Sequence, residues 1–113
     1  MRDAYVINRE QLAVRGELQG FEHGDTGISL IFVDAEPGGG PALHRHDYDE
    51  VFVVLEGEAT MTAGDREIKA GPGDVVVDPA GMPHAFVNSG SARLRQIDIH
   101  LSPRYVTEWL DGG

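Results

Sequence analysis

Four residues in this sequence have the side chains and the spacing of a metal site. They are His44, His46, Glu50 and, further along the chain, His84. Three imidazoles and one carboxylate suit a divalent transition metal and leave coordination positions open for a small molecule. In an extended strand alternate side chains point the same way, so His44 and His46 would share one face, with Cα atoms roughly 6.5–7 Å apart. Two ligands placed in this way can converge on one ion at about 2.0–2.2 Å.

Glu50 and His84 must join the two histidines from further along the chain. Glu50 lies an even number of residues after His46, so it stays on the same face if the strand continues through 47–49 or turns there. His84 must come from another strand and close the site. A single histidine on a strand is more often structural, but three with a glutamate at these spacings favour metal binding.

Glycines, a proline and an asparagine frame these four residues in two motifs. The first motif, 38–57, has Gly38, five residues, His44-Arg45-His46, three residues, Glu50, six residues and Gly57. The second motif, 73–88, has Gly73, five residues, Pro79-Ala80-Gly81, two residues, His84, three residues and Asn88. Both motifs match at every fixed position the two-part signature of the cupin superfamily, which this sequence therefore resembles.

The resemblance implies a fold, a site and an assembly. The fold would be all-β, a jelly-roll β-barrel of the cupin double-stranded β-helix type, in a single domain over 1–113. The metal site would lie inside it, bound by His44, His46, Glu50 and His84. Homodimers are common among proteins that resemble this family, and we expect one here. The reaction is not implied, because this fold hosts many chemistries as well as proteins that are not enzymes.

Composition agrees with one small β domain and argues against several classes of protein. The 113 residues include 15 Gly and 6 Pro, which suits many short strands joined by tight turns. There is no Cys, so a disulfide framework and a thiolate metal site are excluded. A net charge of −10 disfavours nucleic acid as a partner, and solubility is its simplest explanation. We find no signal peptide and no membrane-spanning stretch, and so expect a cytoplasmic protein.

Hydrophobic periodicity predicts strands that run between turns rich in Gly and Pro. The predicted strands are 28–33, 51–55, 58–62, 67–69, 75–77, 85–88 and 94–101, with a hairpin turn at Gly64-Asp65. Residues 51–55 are apolar on both faces, so we expect cover on both sides. Residues 9–24 are compatible with a short helical turn or an edge strand. For the aromatic segment 104–110 we favour packing back onto the barrel, with exchange between subunits as the alternative.

Aromatic and sulfur-containing side chains near the ligands are candidates to line a pocket. Phe52 and Phe86 are in phase with Glu50 and His84, so alternation places them on the ligand face. Their ordinary role would be in the core, yet a barrel interior can be both core and binding cavity. The further candidates are Tyr48, Met61 and Met82.

Two more histidines and one amide are ambiguous. His23 lies in a loop rich in Gly and Asp, where a solvent-exposed histidine is the favoured interpretation. Gln96, Asp98 and His100 share one face of the last strand, opposite an apolar face. If that polar face points inward, Gln96 and His100 would contact the ligands or a substrate. We favour the alternative, a polar face in solvent. Asn88 is expected to satisfy backbone groups.

Three classes of function remain open. An ion with three neutral imidazoles and one carboxylate has a net charge of about +1 and, when octahedral, two open positions. By resemblance to metal-dependent cupins, the leading hypothesis is a non-haem oxygenase in which a small acid, diketone, thiol or phenol chelates iron or manganese, with nickel or zinc as alternatives. The second is a redox-neutral isomerase, decarboxylase, lyase or cyclase, for which only His100, Tyr48 or His23 offers a base. The third is a non-catalytic module that binds a small molecule.

Overall fold

The described part of the chain, residues 3–110 of this computed structural model, consists of ten strands and two short 3-10 helices. In chain order the strands are β1 (Glu17–Gln19), β2 (Ser29–Ala35), β3 (His44–Arg45), β4 (Glu50–Glu56), β5 (Ala59–Ala63), β6 (Arg66–Ala70), β7 (Val75–Asp78), β8 (His84–Asn88), β9 (Leu94–His100) and β10 (Glu108–Trp109). The 3-10 helices are Arg9–Gln11 and Gly20–Glu22. Neither of these has the length to cross a membrane, and no other helix occurs within residues 3–110.

The strands form two antiparallel sheets. One has the order β1-β2-β9-β4-β7 and the other the order β10-β3-β8-β5-β6, with five strands in each. The chain crosses repeatedly from one sheet to the other, which is the arrangement of a jelly roll. The all-β jelly-roll prediction is confirmed.

The predicted strands are present with small shifts at their ends. The hairpin of β5 and β6 turns at Gly64-Asp65, where Gly64 has a φ of +63° that suits glycine. Both alternatives for 9–24 occur, since this stretch contains two 3-10 turns and the edge strand β1. The expected cover on both faces of 51–55 is wrong for Leu55, which is 45% exposed. No second layer of described residues covers that outer face.

The space between the sheets is apolar at one end and polar at the other. The apolar core consists of Phe52, Val54, Ala59, Met61, Ala70, Phe86 and Leu94. Along β4, β8 and β9 every second residue faces the interior. These inward-facing residues are apolar in the core and polar at the other end, where they include Glu50 of β4, His84 of β8 and His100 of β9. Glu50 and His100 are direct partners in the ladder. The polar ends therefore meet at one end of the interior.

Asn88 stabilises the opposite end of β8. Its side-chain amide donates to the carbonyls of Ala35 at 2.9 Å and Ala92 at 2.8 Å, and its oxygen accepts from the backbone of Gly90 at 3.0 Å. All its polar atoms are thus used by the backbone, as predicted.

The C-terminal segment, which we define as 104–110, packs against its own chain. Strand β10 pairs with the edge strand β3, and the Arg45 guanidinium donates to both carboxylate oxygens of Glu108, at 3.1 and 2.9 Å. The Tyr105 hydroxyl donates to the carbonyl of Leu30 at 2.6 Å. This arrangement corresponds to the favoured prediction, packing back onto the barrel.

Candidate metal centre

The structure brings His44, His46, Glu50 and His84 together between the two sheets. One potential ligand atom of each lies within 4.8 Å of the others, and all four residues are buried. His44 begins β3 and faces His84 directly across the ladder. Residues 47–49 turn and carry the chain into the other sheet, where Glu50 begins β4. Of the two routes that the sequence left open here, the turn is the correct one.

Each of the three histidines is anchored through its Nδ1 atom. The acceptors are the Ala42 carbonyl for His44 at 2.7 Å, the Val106 carbonyl for His46 at 2.8 Å and the Met82 carbonyl for His84 at 3.2 Å, where the Asp78 carboxylate also forms an ion-pair contact with the ring. A carbonyl oxygen can only accept, and so can a carboxylate, so Nδ1 carries a proton in every ring. Each Nε2 is therefore the atom that remains for a metal. Anchoring of the second nitrogen in this way is typical of metal-binding histidines.

Glu50 lies at the centre of the cluster. Its Oε1 atom is 3.0 Å from the Nε2 atoms of both His46 and His84, and its Oε2 atom is 3.2 Å from the Nε2 atom of His100. The buried Nε2 of His46 has no hydrogen-bond partner among the described residues. A cation between this nitrogen and the Glu50 carboxylate would satisfy both. This donor set fits a divalent cation.

The contacts within the cluster also set its protonation. Burial acts to raise the pKa of Glu50, but the imidazoles of His46 and His84 outweigh burial and lower the pKa to about 2. Burial lowers the pKa of His44, which keeps that ring neutral. Burial acts to lower the pKa of His84 too, yet Asp78 and Glu50 raise it to about 10. A cation that binds here must therefore displace a proton from His84.

A cavity of about 340 Å³ opens beside the cluster. Three of the predicted pocket residues, Phe52, Phe86 and His100, line it together with the ligands His44, His46 and Glu50. The in-phase argument for the two phenylalanines is thus correct. The interior of this jelly roll serves as core at one end and as cavity at the other.

The other predicted pocket residues lie outside the cavity lining. Met61 belongs to the apolar core and is 3% exposed. Gln96 lies deeper in the interior, and Tyr48 stacks on His46 with ring centroids 4.8 Å apart and an interplanar angle of 9°. Met82 is half-buried and accepts at its carbonyl from the Nδ1 atom of His84 at 3.2 Å.

The inward face of β9 corrects one prediction. Gln96, Asp98 and His100 are at most 3% exposed, whereas a solvated face was favoured for them. The alternation of polar and apolar residues in β9 favours a polar face in solvent, but in the structure the polar face points towards the metal ligands. The apolar residues of the other face, Ile97 and Ile99, lie on the outside of the sheet and are half-buried.

Tyr48 and His100 form a hydrogen-bonded pair next to Glu50. Burial raises the pKa of Tyr48 to about 12, so its phenol is protonated at neutral pH. The phenol oxygen accepts from the backbone N–H of Val106 at 3.2 Å and lies 2.8 Å from the Nδ1 atom of His100, to which it can donate. Burial lowers the pKa of His100 to about 4, so this ring is neutral. Its remaining proton then sits on Nε2, which faces Glu50.

Two carboxyl groups at the site were not singled out from the sequence. Asp78 is the ladder partner of Glu50 and anchors His84. Asp98 lines the cavity and accepts from the side-chain amide of Gln96 at 2.7 Å. Burial raises the pKa of Asp98 well above its ordinary value. Asp98 lies two residues before His100 and therefore on the same face of β9. An inward orientation of that face would have identified Asp98 as a residue of the site.

The C-terminal segment supplies another part of the site that sequence reasoning missed. Tyr105, Thr107 and Trp109 line the cavity, and the Val106 carbonyl anchors His46. His23, by contrast, is outside the cluster. It is half-buried rather than exposed, and its carbonyl accepts from the Tyr5 hydroxyl at 2.8 Å.

Comparison with curated proteins finds partial relatives. The acireductone dioxygenase of Leishmania braziliensis is 36% identical over 69 residues, which is 56% of this chain and 20% of that protein. This chain therefore spans about a fifth of the length of that relative, and its activity cannot be assumed here.

Solved structures share the fold. The oxalate decarboxylase of Bacillus subtilis, a protein with Mn(II) centres, superposes with a TM-score of 0.76 at 26% identity over 83% of this chain and 27% of that chain. A protein with a double-stranded β-helix domain from Klebsiella pneumoniae gives a TM-score of 0.67 at 21% identity and covers 73% of each chain. At that identity the likeness concerns the fold alone.

The family assignment covers the site. Residues 31–100 match the family described as "Cupin domain". The matched range contains both motifs and all four clustered ligands. Since it takes in more than half of the sequence, the chain belongs to the cupin family.

Proposed function

We propose that this chain is a metal-dependent oxygenase that acts on a small chelating molecule. The observation that carries the proposal is the convergence of three anchored imidazoles and one carboxylate at the wall of a cavity of about 340 Å³. A structural metal site would be closed by its ligands, whereas this one faces space for a guest molecule.

The residues of the chain have distinct roles in this proposal. His44, His46, Glu50 and His84 would hold the ion. Iron or manganese, the metals we propose, would supply a Lewis acid and a template that brings substrate and dioxygen together. His100 lies on the Oε2 side of Glu50 and so orients its carboxylate. Phe52 and Phe86 exclude water from the cavity wall and so strengthen electrostatic interactions at the site.

The partial relatives support two different reactions. The Leishmania relative is a dioxygenase, which favours the oxygenase proposal. The Bacillus neighbour is a decarboxylase with manganese, which favours the same class of ion. Since each aligns with only part of its own length, neither transfers its substrate to this chain.

Metal content and oxygen uptake test the proposal together. Protein purified without added metal should contain iron or manganese in elemental analysis. Screening of chelating acids, diketones, thiols and phenols in an oxygen electrode should then find at least one that drives oxygen uptake above the level of metal-stripped protein. Tightly held zinc, or ligand binding without oxygen uptake and without product, would contradict the oxygenase assignment. The second result, with no product at all, would favour a binding module.

A redox-neutral reaction is the second candidate. It is favoured by Asp98 and His100, which both line the cavity and have pKa values moved in opposite directions by burial. A protonated Asp98 could donate a proton and a neutral His100 could accept one. Product formation under nitrogen, at the same rate as in air, would select this candidate over the oxygenase.

We also propose that the protein is a homodimer and that it works in the cytoplasm. The outer face of the β1-β2-β9-β4-β7 sheet exposes four apolar side chains, Phe32, Leu55, Val75 and Val77, which are 45–59% exposed. Five strands about 4.8 Å apart give a face of roughly 500 Å² in projection, comparable with the ~800 Å² of accessible surface that one partner buries in a standard interface. A second copy of the chain would cover this face with its own identical face, as in a two-fold symmetric dimer.

Sedimentation equilibrium tests the dimer. The mass should be twice the 12.2 kDa of the chain. Val77→Lys should shift the equilibrium towards the monomer, because a charge buried in an apolar interface is desolvated without a partner. Asp65→Lys, in the exposed turn between β5 and β6 of the other sheet, is the matched control. A monomeric wild-type protein at high micromolar concentration would refute the dimer.

A further inference from the structure

One wall of the cavity is apolar and has no role in holding a metal. Ile31 and Val33 contribute to it from β2, Phe52 from β4 and Phe86 from β8. Trp109 adds an indole from β10. Metal ligands on one side and an apolar wall on the other indicate a guest molecule with two chemically different parts.

The acidic side chains of the cavity are not balanced by any Lys or Arg within the described residues. Glu17, Glu50 and Asp98 line it, and no Lys or Arg within residues 3–110 does so. A carboxylate that bound away from the metal would lose its hydration and find no cation in return. The cavity therefore disfavours a molecule with a second negative charge. The net charge of −10 acts in the same direction.

Trp109 is placed to contact the body of a guest molecule. Its ring centroid lies 4.8 Å from that of His44, and the indole is 61% exposed. The ladder pairs Trp109 with His44, and the ion pair of Arg45 with Glu108 fixes the preceding residue. An indole beside a metal ligand and outside the core offers a flat apolar surface to another ring.

We propose that the substrate consists of a metal-chelating head and an uncharged apolar ring that stacks on Trp109. A substrate with a second carboxylate against the apolar wall, away from the metal, is disfavoured, because no Lys or Arg within residues 3–110 lines the cavity to pair with it. Trp109 is the specificity-determining residue for this class. This inference rests on one part of the proposed function, the metal ion that binds the chelating head. The segment that contains Trp109 lies outside the matched range 31–100.

Three hydroxamates with the same chelating head test the inference by calorimetry on zinc-loaded protein. Acetohydroxamate has a methyl body, benzohydroxamate a phenyl ring, and 4-carboxybenzohydroxamate the same ring with a charge. Benzohydroxamate should bind about 2- to 10-fold tighter than acetohydroxamate, which is the range for one aromatic contact. The carboxylated compound should bind more weakly than benzohydroxamate. Equal affinity for all three would overturn the inference.

Two variants, Trp109→Ala and Trp109→Phe, test whether Trp109 causes the preference for benzohydroxamate. The alanine variant should lose most of the preference for benzohydroxamate over acetohydroxamate, and the phenylalanine variant should keep most of it. Trp109 is the single tryptophan of the chain, so the indole fluorescence of the wild type should change more with benzohydroxamate than with acetohydroxamate. A preference unchanged in Trp109→Ala would refute the role of Trp109.

The same measurements separate this inference from the proposed function. If zinc fails to bind the wild-type protein, the metal site itself is refuted. If zinc and acetohydroxamate bind but the phenyl ring brings no gain, the metal site stands and the substrate class is wrong.

Discussion

We expect His46→Ala to abolish metal binding and to leave the jelly roll folded. The variant loses one of three imidazole donors, whose Nε2 atom lies 3.0 Å from the Glu50 carboxylate. Loss of a group that merely supports a metal ligand reduces affinity by about 10–100-fold, and loss of the ligand itself should exceed the upper end of that range.

The fold should survive because the core lies at the other end of the interior. Phe52, Val54, Leu94 and their neighbours form it without His46. The variant loses the hydrogen bond to the Val106 carbonyl, the 3.3 Å contact of Nδ1 with the Thr107 hydroxyl and the stack on Tyr48. The hydrogen bond contributes about 0.5–1.5 kcal/mol, which a domain with a typical stability of about 5–15 kcal/mol tolerates.

Calorimetric titration with manganese measures the affinity, and far-ultraviolet circular dichroism measures the fold. His23→Ala is the matched control, since His23 is half-buried but outside the metal-ligand cluster. The control should bind metal as the wild type does. Full metal binding by His46→Ala would show that the ion sits elsewhere. An unfolded His46→Ala protein would instead make the metal structural.

The ligand quartet was predictable because its information is local in the sequence. His44, His46 and Glu50 fall within seven residues, and the motif around His84 fixes the turn that precedes it. The strand order follows less directly, since a jelly roll pairs strands far apart, such as β2 with β9. Its prediction depended on the resemblance to a known fold rather than on periodicity.

The remaining parts of the site depend on tertiary structure. Period-two alternation in β9 identifies two faces but does not state which is inside, and the polar face was assigned to solvent. Asp98 and His100 were misplaced for this reason. Asp78 reaches His84 only through the pairing of β7 with β4, which no local pattern encodes. Likewise, Val106 and Trp109 reach the ligands because β10 adds to the edge of β3.

Metal affinity and the stability of the metal-free protein should respond to pH in opposite directions. In the metal-free protein Asp78 and Glu50 raise the pKa of His84 from 6.5 to about 10, against the effect of burial. The stabilisation from this protonated ring is fully present below pH 6.5 and is lost as the pH rises towards 10. The thermal midpoint of metal-free protein should therefore fall through this window.

A metal ion, in contrast, must displace the His84 proton, so its affinity should rise with pH. Glu50 stays ionised and His44 and His100 stay neutral in this window, because the pKa values of all three are lowered. One displaced proton gives about a tenfold gain per pH unit, or about 100-fold between pH 6.5 and 8.5. Titrations in buffers of different ionisation enthalpy should report release of the same proton.

Asp78→Asn tests whether His84 is the group responsible. The asparagine keeps the shape of the side chain but removes the charge that raises the pKa of His84, so the affinity should level off at a lower pH than in the wild type. The thermal midpoint of the metal-free variant should also vary less with pH. Asp65→Asn, in the exposed turn between β5 and β6, should behave as the wild type. An affinity in the wild type that is constant from pH 6.5 to 8.5 would mean that no proton leaves His84 when metal binds, and the Asp78–His84–Glu50 contacts would then not govern the site.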